Sequence, residues 1–192
     1  MKIQIALALI LAAVPSAFAS LIPLSPSNVI GFLGAYPGPF PAASILDHQT
    51  GIITEPSQDG SYWLNSDGGP ANAYVVIDLG PSGFHLASFD LFNTHNANFG
   101  DRGTGNFSIE ASNSIAPGTG VGSDLSGPIV TLVSGTLLAA NPSAGPLVAQ
   151  TFLSSDSGSY RYIRFSPDTV ASFNSPCCDA VQISLDGVNT RS

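Results

Sequence analysis

The sequence predicts an all-β sandwich, and three observations lead there. Short runs rich in Val, Ile, Phe and Tyr recur, bounded by Gly, Pro, Asn, Asp and Ser. Several of them alternate apolar and polar residues with period two, which puts one face in a core and the other in water, as in an antiparallel sandwich. After the N-terminus, no helix-length stretch repeats its apolar residues every 3.6 positions. Composition agrees. The chain has 20 Gly and 15 Pro, is 44% apolar and only 9% charged, against roughly 25% charged in an ordinary soluble domain. Disorder needs low hydrophobicity with high charge, and a coiled coil needs Glu, Lys and Arg, so both are excluded. At 192 residues the simplest organisation is one domain, able to bury a core without metals or disulfides.

Taken in order, residues 1–19 read as a secretory signal peptide: Lys2, an apolar run from Ile5 to Val14, a break at Pro15 and the small-x-small site Ala17-Phe18-Ala19. The run is too short to span a roughly 30 Å hydrocarbon core, and no later stretch is long and apolar enough. The mature chain then begins at Ser20 in an extracytoplasmic, disulfide-permissive compartment. Residues 20–43, with five prolines between Leu21 and Pro41, are expected as a strap lying across the sandwich. Residues 44–187 form the domain, and 188–192 a tail.

Within the domain the expected strands are Ala73 to Leu79, Leu86 to Thr94, Phe107 to Ser112, Ile129 to Val133, Val148 to Leu153, Tyr160 to Phe165 and Ala180 to Leu185. Val75, Ile77 and Leu79 share one face, as do Phe107, Ile109 and Ala111, and Val181, Ile183 and Leu185. The Gly/Pro/Ser-rich stretches Asn113 to Pro128 and Asn141 to Pro146 read as surface loops.

Charge excludes two classes of partner. The formal net charge is −8 and the pI about 4.3. Beyond Lys2 the basic residues are Arg102, Arg161, Arg164 and Arg191. They cannot make a phosphate-binding stripe, so nucleic acid is excluded and attraction to an anionic membrane is disfavoured.

The ordered set Ser44-Ile45-Leu46-Asp47, Tyr62-Trp63-Leu64, Val75-Val76-Ile77-Asp78-Leu79-Gly80, Phe89-Asp90-Leu91-Phe92-Asn93-Thr94, Phe107-Ser108-Ile109-Glu110-Ala111-Ser112 and Arg161-Tyr162-Ile163-Arg164-Phe165 resembles the discoidin, or coagulation-factor C-type, domain of the galactose-binding-like superfamily. The resemblance covers about residues 44–187. It implies a jelly-roll β-sandwich that binds ligands through loops at one end: sugars, glycoconjugates, lipid head groups or proteins. It also implies a structural Ca²⁺ site near Asp47, with Thr50 and nearby carbonyls as further oxygen ligands. Two departures stand against that site. The usual Asp-Gly is Asp47-His48, and Ala180, beside Asp179, stands where the family often has a Glu.

The candidate ligand-binding residues are His95, Asn96, Asn98, Asp101, Arg102, Tyr62 and Trp63. The first five lie in a loop, residues 93–104, that gathers amides, a carboxylate and a guanidinium. Planar amides and carboxylates bond hydroxyl pairs, and an Arg donates a fork of N–H groups. The competing reading is a loop that satisfies itself, with Asp101 and Arg102 as braces. Trp63, the only Trp, either stacks on a sugar's C–H face or packs into the core rim, and its neighbour Tyr62 points the opposite way.

Cys177 and Cys178 are the only cysteines and are adjacent. A vicinal disulfide is the favoured state. It is strained, because neighbouring Cα atoms sit about 3.8 Å apart. Two free thiols and bridges to another chain are the alternatives. No His spacing supports zinc. Asn106-Phe107-Ser108 is an N-glycosylation sequon if the source is eukaryotic.

Enzyme motifs are missing: no G-x-S-x-G, H-E-x-x-H or Walker loop. The thirteen carboxylates leave room for a glycosidase-like pair, but no spacing singles one out. The expectation is a secreted, non-catalytic carbohydrate- or glycoconjugate-binding module without a cofactor, acting in attachment or adhesion. The alternative is a structural or protein-interaction domain of an extracellular matrix or coat.

Overall fold

The computed structural model describes residues 20–34, 41–46, 63–65, 72–93, 103–139, 148–169 and 182–190. Thirteen strands are assigned: β1 (Ser20–Ile22), β2 (Val29–Leu33), β3 (Trp63–Leu64), β4 (Tyr74–Asp78), β5 (Phe84–Asn93), β6 (Asn106–Ser112), β7 (Ser114–Pro117), β8 (Val121–Ser126), β9 (Val130–Thr136), β10 (Gln150–Leu153), β11 (Ser159–Tyr160), β12 (Tyr162–Pro167) and β13 (Gln182–Thr190). Two single turns of 3₁₀ helix, Pro26–Asn28 and Ala42–Leu46, complete the described elements.

The strands form two antiparallel sheets. One has the order β1-β13-β5-β10, with β3 joined to β13 and β11 to β5. The other has the order β7-β8-β2-β4-β12-β6-β9. Between them lies the core. Val75 and Ile77 of β4, Phe107, Ile109 and Ala111 of β6, and Ile163 and Phe165 of β12 face Leu86, Phe89 and Leu91 of β5. On β4, β6 and β12 these are alternating positions, as the period-two pattern requires, whereas Leu86 and Phe89 of β5 are three residues apart, across a register shift in its pairing with β13. Phe107 stacks on Phe165 at 5.6 Å and meets the edge of Phe152 at 4.8 Å. Because Phe152 sits on β10, that edge contact ties the two sheets together.

The run expected from Tyr160 to Phe165 is broken at Arg161 into β11 and β12. Three further expectations are corrected. Residues 20–33 are not a strap: β1 is an edge strand beside β13, and β2 lies inside the seven-stranded sheet between β8 and β4. Pro23 and Pro26 stand in the connection after β1 and in the 3₁₀ turn, where a missing N–H costs no ladder bond. Val188, Asn189 and Thr190 are not a tail, since they pair with β1 and β5. Residues 113–128 are not a loop but the β7–β8 hairpin.

That hairpin also overturns the expectation of a wet outer face on β4. Leu125 packs with Tyr74, Val76 and Tyr162, so β4 is buried on both sides. Close approach is what the glycines permit. A Cβ at Gly31 would run into the Ser123 backbone, and Gly122, at φ +75°, takes a conformation other residues rarely adopt.

Candidate functional site

β5 ends at Asn93, and the described chain resumes at Gly103. Asn93 and Thr104, on either side of residues 94–102, are held together by one side chain. The Asn93 amide nitrogen donates to the Thr104 carbonyl at 2.8 Å and to the Leu138 carbonyl at 2.9 Å, while the Thr104 N–H donates to Asn93 Oδ1 at 2.8 Å. Asn93 and Thr104 are both buried. Gln150 extends the network. Its Oε1 accepts from the Leu138 N–H at 2.8 Å, and its Nε2 donates to the Leu138 carbonyl at 3.1 Å. The Leu138 side chain itself is 74% exposed. This end of the sandwich therefore has a rigid polar frame with an apolar side chain beside it.

His95, Asn96, Asn98, Asp101 and Arg102 lie between the clamped ends and fall outside the described residues, as do Tyr62, Asp47, Cys177 and Cys178. Trp63 is described, and it corrects the stacking reading. Its side chain is 0% exposed and belongs to the core, and its indole N–H donates to the Gly34 carbonyl at 2.9 Å. A buried indole whose polar atom is satisfied offers no face to a ligand.

At the opposite end, the Asp78-Leu79-Gly80 motif is structural. Asp78 Oδ1 accepts from the Gly80 N–H at 2.9 Å and from Arg161 Nε at 3.0 Å, and its Oδ2 accepts from Arg161 Nη2 at 2.8 Å. The Arg161 hydrogen bond holds the Asp78 carboxyl below the ordinary carboxylate range. Partial burial opposes this, and the Gly80 N–H reinforces it.

A second charged cluster, which the sequence did not single out, lies on the outer face of the seven-stranded sheet. Arg164 of β12 stands opposite Glu110 of β6 in register. Its Nε donates to Glu110 Oε2 at 3.1 Å, Nη2 donates to the same oxygen, and Nη1 donates to Asp124 of β8 at 3.0 Å. Burial works against the guanidinium, but Glu110 and Asp124 outweigh it and raise the Arg164 pKa. A cavity of about 410 Å³ opens beside this network, lined also by Asn72, Tyr74, Ser108, Thr119, Ser166 and Asp168. The volume is in the range of ligand sites, roughly 300–1,000 Å³. The clue was present in the sequence: Glu110 and Arg164 occupy polar positions of alternating strands in a chain nearly without charge. Among the described residues no group of three His, Cys, Asp or Glu side chains is placed to hold a metal ion. No described helix is long and apolar enough to cross a membrane.

The fold has solved counterparts. The chain is similar to the family 32 carbohydrate-binding module of C. perfringens NanJ, a structure in complex with galactose, with 15% identity and a TM-score of 0.54 over 90% of this chain and 99% of that one. It is similar to a module, CBM32-3, from a family 31 glycoside hydrolase of Clostridium perfringens, with 13% identity and a TM-score of 0.54 over 92% and 97%. It is also similar to the family 32 module of Streptococcus pneumoniae EndoD, with 13% identity and a TM-score of 0.51 over 85% and 94%. At these identities the likeness is one of fold: the chain has a jelly-roll β-sandwich like that of these modules, as its motifs implied. No protein-family model and no curated protein matches the sequence.

Proposed function

We propose that this protein is a secreted, non-catalytic module that binds carbohydrate through the loop end of its sandwich and serves attachment to a glycan-bearing surface. The observation that carries the reading is the Asn93–Thr104 clamp. It fixes both ends of the segment bearing His95, Asn96, Asn98, Asp101 and Arg102. Sugar recognition depends on amides, carboxylates and guanidinium groups held in fixed directions, because each donor ordered in advance saves entropy on binding. The exposed Leu138 side chain at the same end would meet a sugar's C–H face. The shared fold lends support, since the NanJ module was solved with galactose. In this reading Arg102 and Asp101 contact hydroxyls and Cys177–Cys178 form a vicinal disulfide. Any Ca²⁺ at Asp47 has a structural role.

A glycan array on the secreted protein, repeated with Arg102→Ala, tests this. The expected result is selective binding that Arg102→Ala weakens by about ten-fold at unchanged thermal stability. Loss of thermal stability in the variant, with or without sugar, would make Arg102 a loop brace. Absence of binding across the array would remove the carbohydrate reading in favour of a structural or protein-interaction domain.

A further inference from the structure

We propose that the cavity on the outer face of the seven-stranded sheet is a second carbohydrate site, built for an amino sugar whose amine is protonated. The proposal rests on the reading of the protein as a carbohydrate-binding module, and it concerns residues none of which belong to the 94–102 loop.

Three features of the cavity define its ligand. The first is the balance of charge: three carboxylates, Glu110, Asp124 and Asp168, face one guanidinium, Arg164. Each nitrogen of that guanidinium already donates to Glu110 or Asp124. Arg164 is therefore committed to the protein, and an acidic sugar would meet net repulsion. The second is Asp168. Its carboxylate lines the cavity and has no hydrogen-bond or ion-pair partner among the described residues. It stands exposed at the mouth of the cavity, where partial desolvation and the nearby Glu110 raise its pKa and no described residue supplies a compensating cation. The third is Tyr74. It is only 4% exposed and lines the cavity, yet its O–H proton meets no acceptor among the described residues. Among the described residues its oxygen accepts a single long hydrogen bond, 3.4 Å, from the Gly120 N–H. A buried hydroxyl left in this way needs a partner from outside.

An ammonium group answers Asp168, and a sugar oxygen answers the Tyr74 hydroxyl. The hydroxyls of Ser108, Ser166 and Thr119 and the amide of Asn72 offer further bonds to the remaining ring positions. A bare metal ion does not fit, because the three carboxylates do not converge on one point. N-acetylation removes the cation and adds bulk, so the site would separate amino sugars from their acetylated forms.

The test is an amide-resolved NMR titration of the isotope-labelled mature protein with the β-1,4-linked disaccharide of glucosamine, and in parallel with its N-acetylated counterpart. The expected result is saturable shifts at Ser108, Glu110, Ser166 and Asp168 with the amine. The acetylated sugar should be at least about ten-fold weaker there, the factor expected for one charge-assisted hydrogen bond. Asp168→Asn and Tyr74→Phe should each weaken the amine complex by about the same factor. Asp168→Asn should also leave the melting temperature unchanged at neutral pH, because the side chain is exposed and its carboxylate has no partner among the described residues. Shifts confined to Asn93, Thr104 and Leu138 would leave the loop reading standing and overturn this one. So would equal affinity for the two disaccharides, or an Asp168→Asn variant that binds as well as the parent.

Discussion

Asn93 and Thr104 exchange two hydrogen bonds, at 2.8 Å each, between one buried carboxamide and one buried stretch of backbone. The bonds close the base of the loop that carries the candidate sugar-binding residues. The relationship explains why an Asn, a poor strand residue, ends the longest strand of the six-stranded sheet: it serves as a backbone-mimicking bracket between β5 and the approach to β6.

Asn93→Ala should therefore destabilise the protein strongly. It removes the acceptor of the Thr104 N–H and a donor to the Thr104 carbonyl, while the Leu138 carbonyl keeps Gln150 Nε2, and losing a buried hydrogen-bond partner costs roughly 1–3 kcal/mol. Asn93→Asp keeps the acceptor and loses the donor, so it should fall between. Urea unfolding of the three proteins gives the order directly. Equal midpoints would mean that the clamp does not bear on stability.

Trp63 should report on the core and be silent to ligand. It is the only tryptophan, is fully buried, and donates its indole N–H to Gly34. Its emission should be blue-shifted in the folded protein and should move to the red on unfolding. Saturating sugar should leave it unchanged, and quenching by ligand would bring the stacking role back.

The Asp78–Arg161 pair should give stability that acid removes. Arg161 holds the Asp78 carboxyl below its ordinary value, so the folded pKa lies under the unfolded one, near about 3.9. The contribution is present above the unfolded value and is lost as pH falls through the folded one. Asp78→Asn should be less stable than the parent at neutral pH by roughly 1 kcal/mol, a modest figure because Arg161 is 39% exposed. The difference should close progressively below about pH 4. A difference that stays constant from pH 7 to pH 2 would contradict the assignment.

Arg164→Met should cost more than Arg161→Met. Arg164 is 22% exposed and separates two carboxylates, whereas Arg161 serves one. Removing Arg164 leaves Glu110 and Asp124 facing each other without a counter-charge, at roughly 1–3 kcal/mol given their partial exposure. Thermal unfolding of both variants at low and high salt decides the ranking. Added salt should rescue part of the Arg164→Met loss by screening the carboxylates.

Much of the fold was legible because strand patterning is local. Alternation alone assigns Val75, Ile77 and Leu79 to one face and Phe107, Ile109 and Ala111 to another, and all six lie in the core. What alternation cannot show is a third layer. Tyr74 and Val76 looked solvent-facing until the β7–β8 hairpin covered them, and its Gly-rich sequence read as a loop because the same glycines that mark turns also permit close backbone contact. The prolines of residues 20–33 concealed two strands in the same way. At the candidate site, the polar loop, Asn93 included, stood out by composition, but the framing role of Asn93 did not. Its role depends on Thr104 and Leu138, which only the folded chain brings to it. The Arg164 network is likewise a cross-strand relationship, set by register between β6, β12 and the hairpin.

The central claim is carbohydrate binding at the loop end, and one measurement addresses it most directly. The isotope-labelled protein would be titrated with galactose- and N-acetylglucosamine-terminated oligosaccharides while backbone amide shifts are followed. The account predicts saturable shifts for at least one sugar, concentrated at Asn93, Gly103, Thr104, Leu138 and the residues 94–102 that they frame. Flat titrations with every sugar, or shifts that leave those positions untouched, would contradict it.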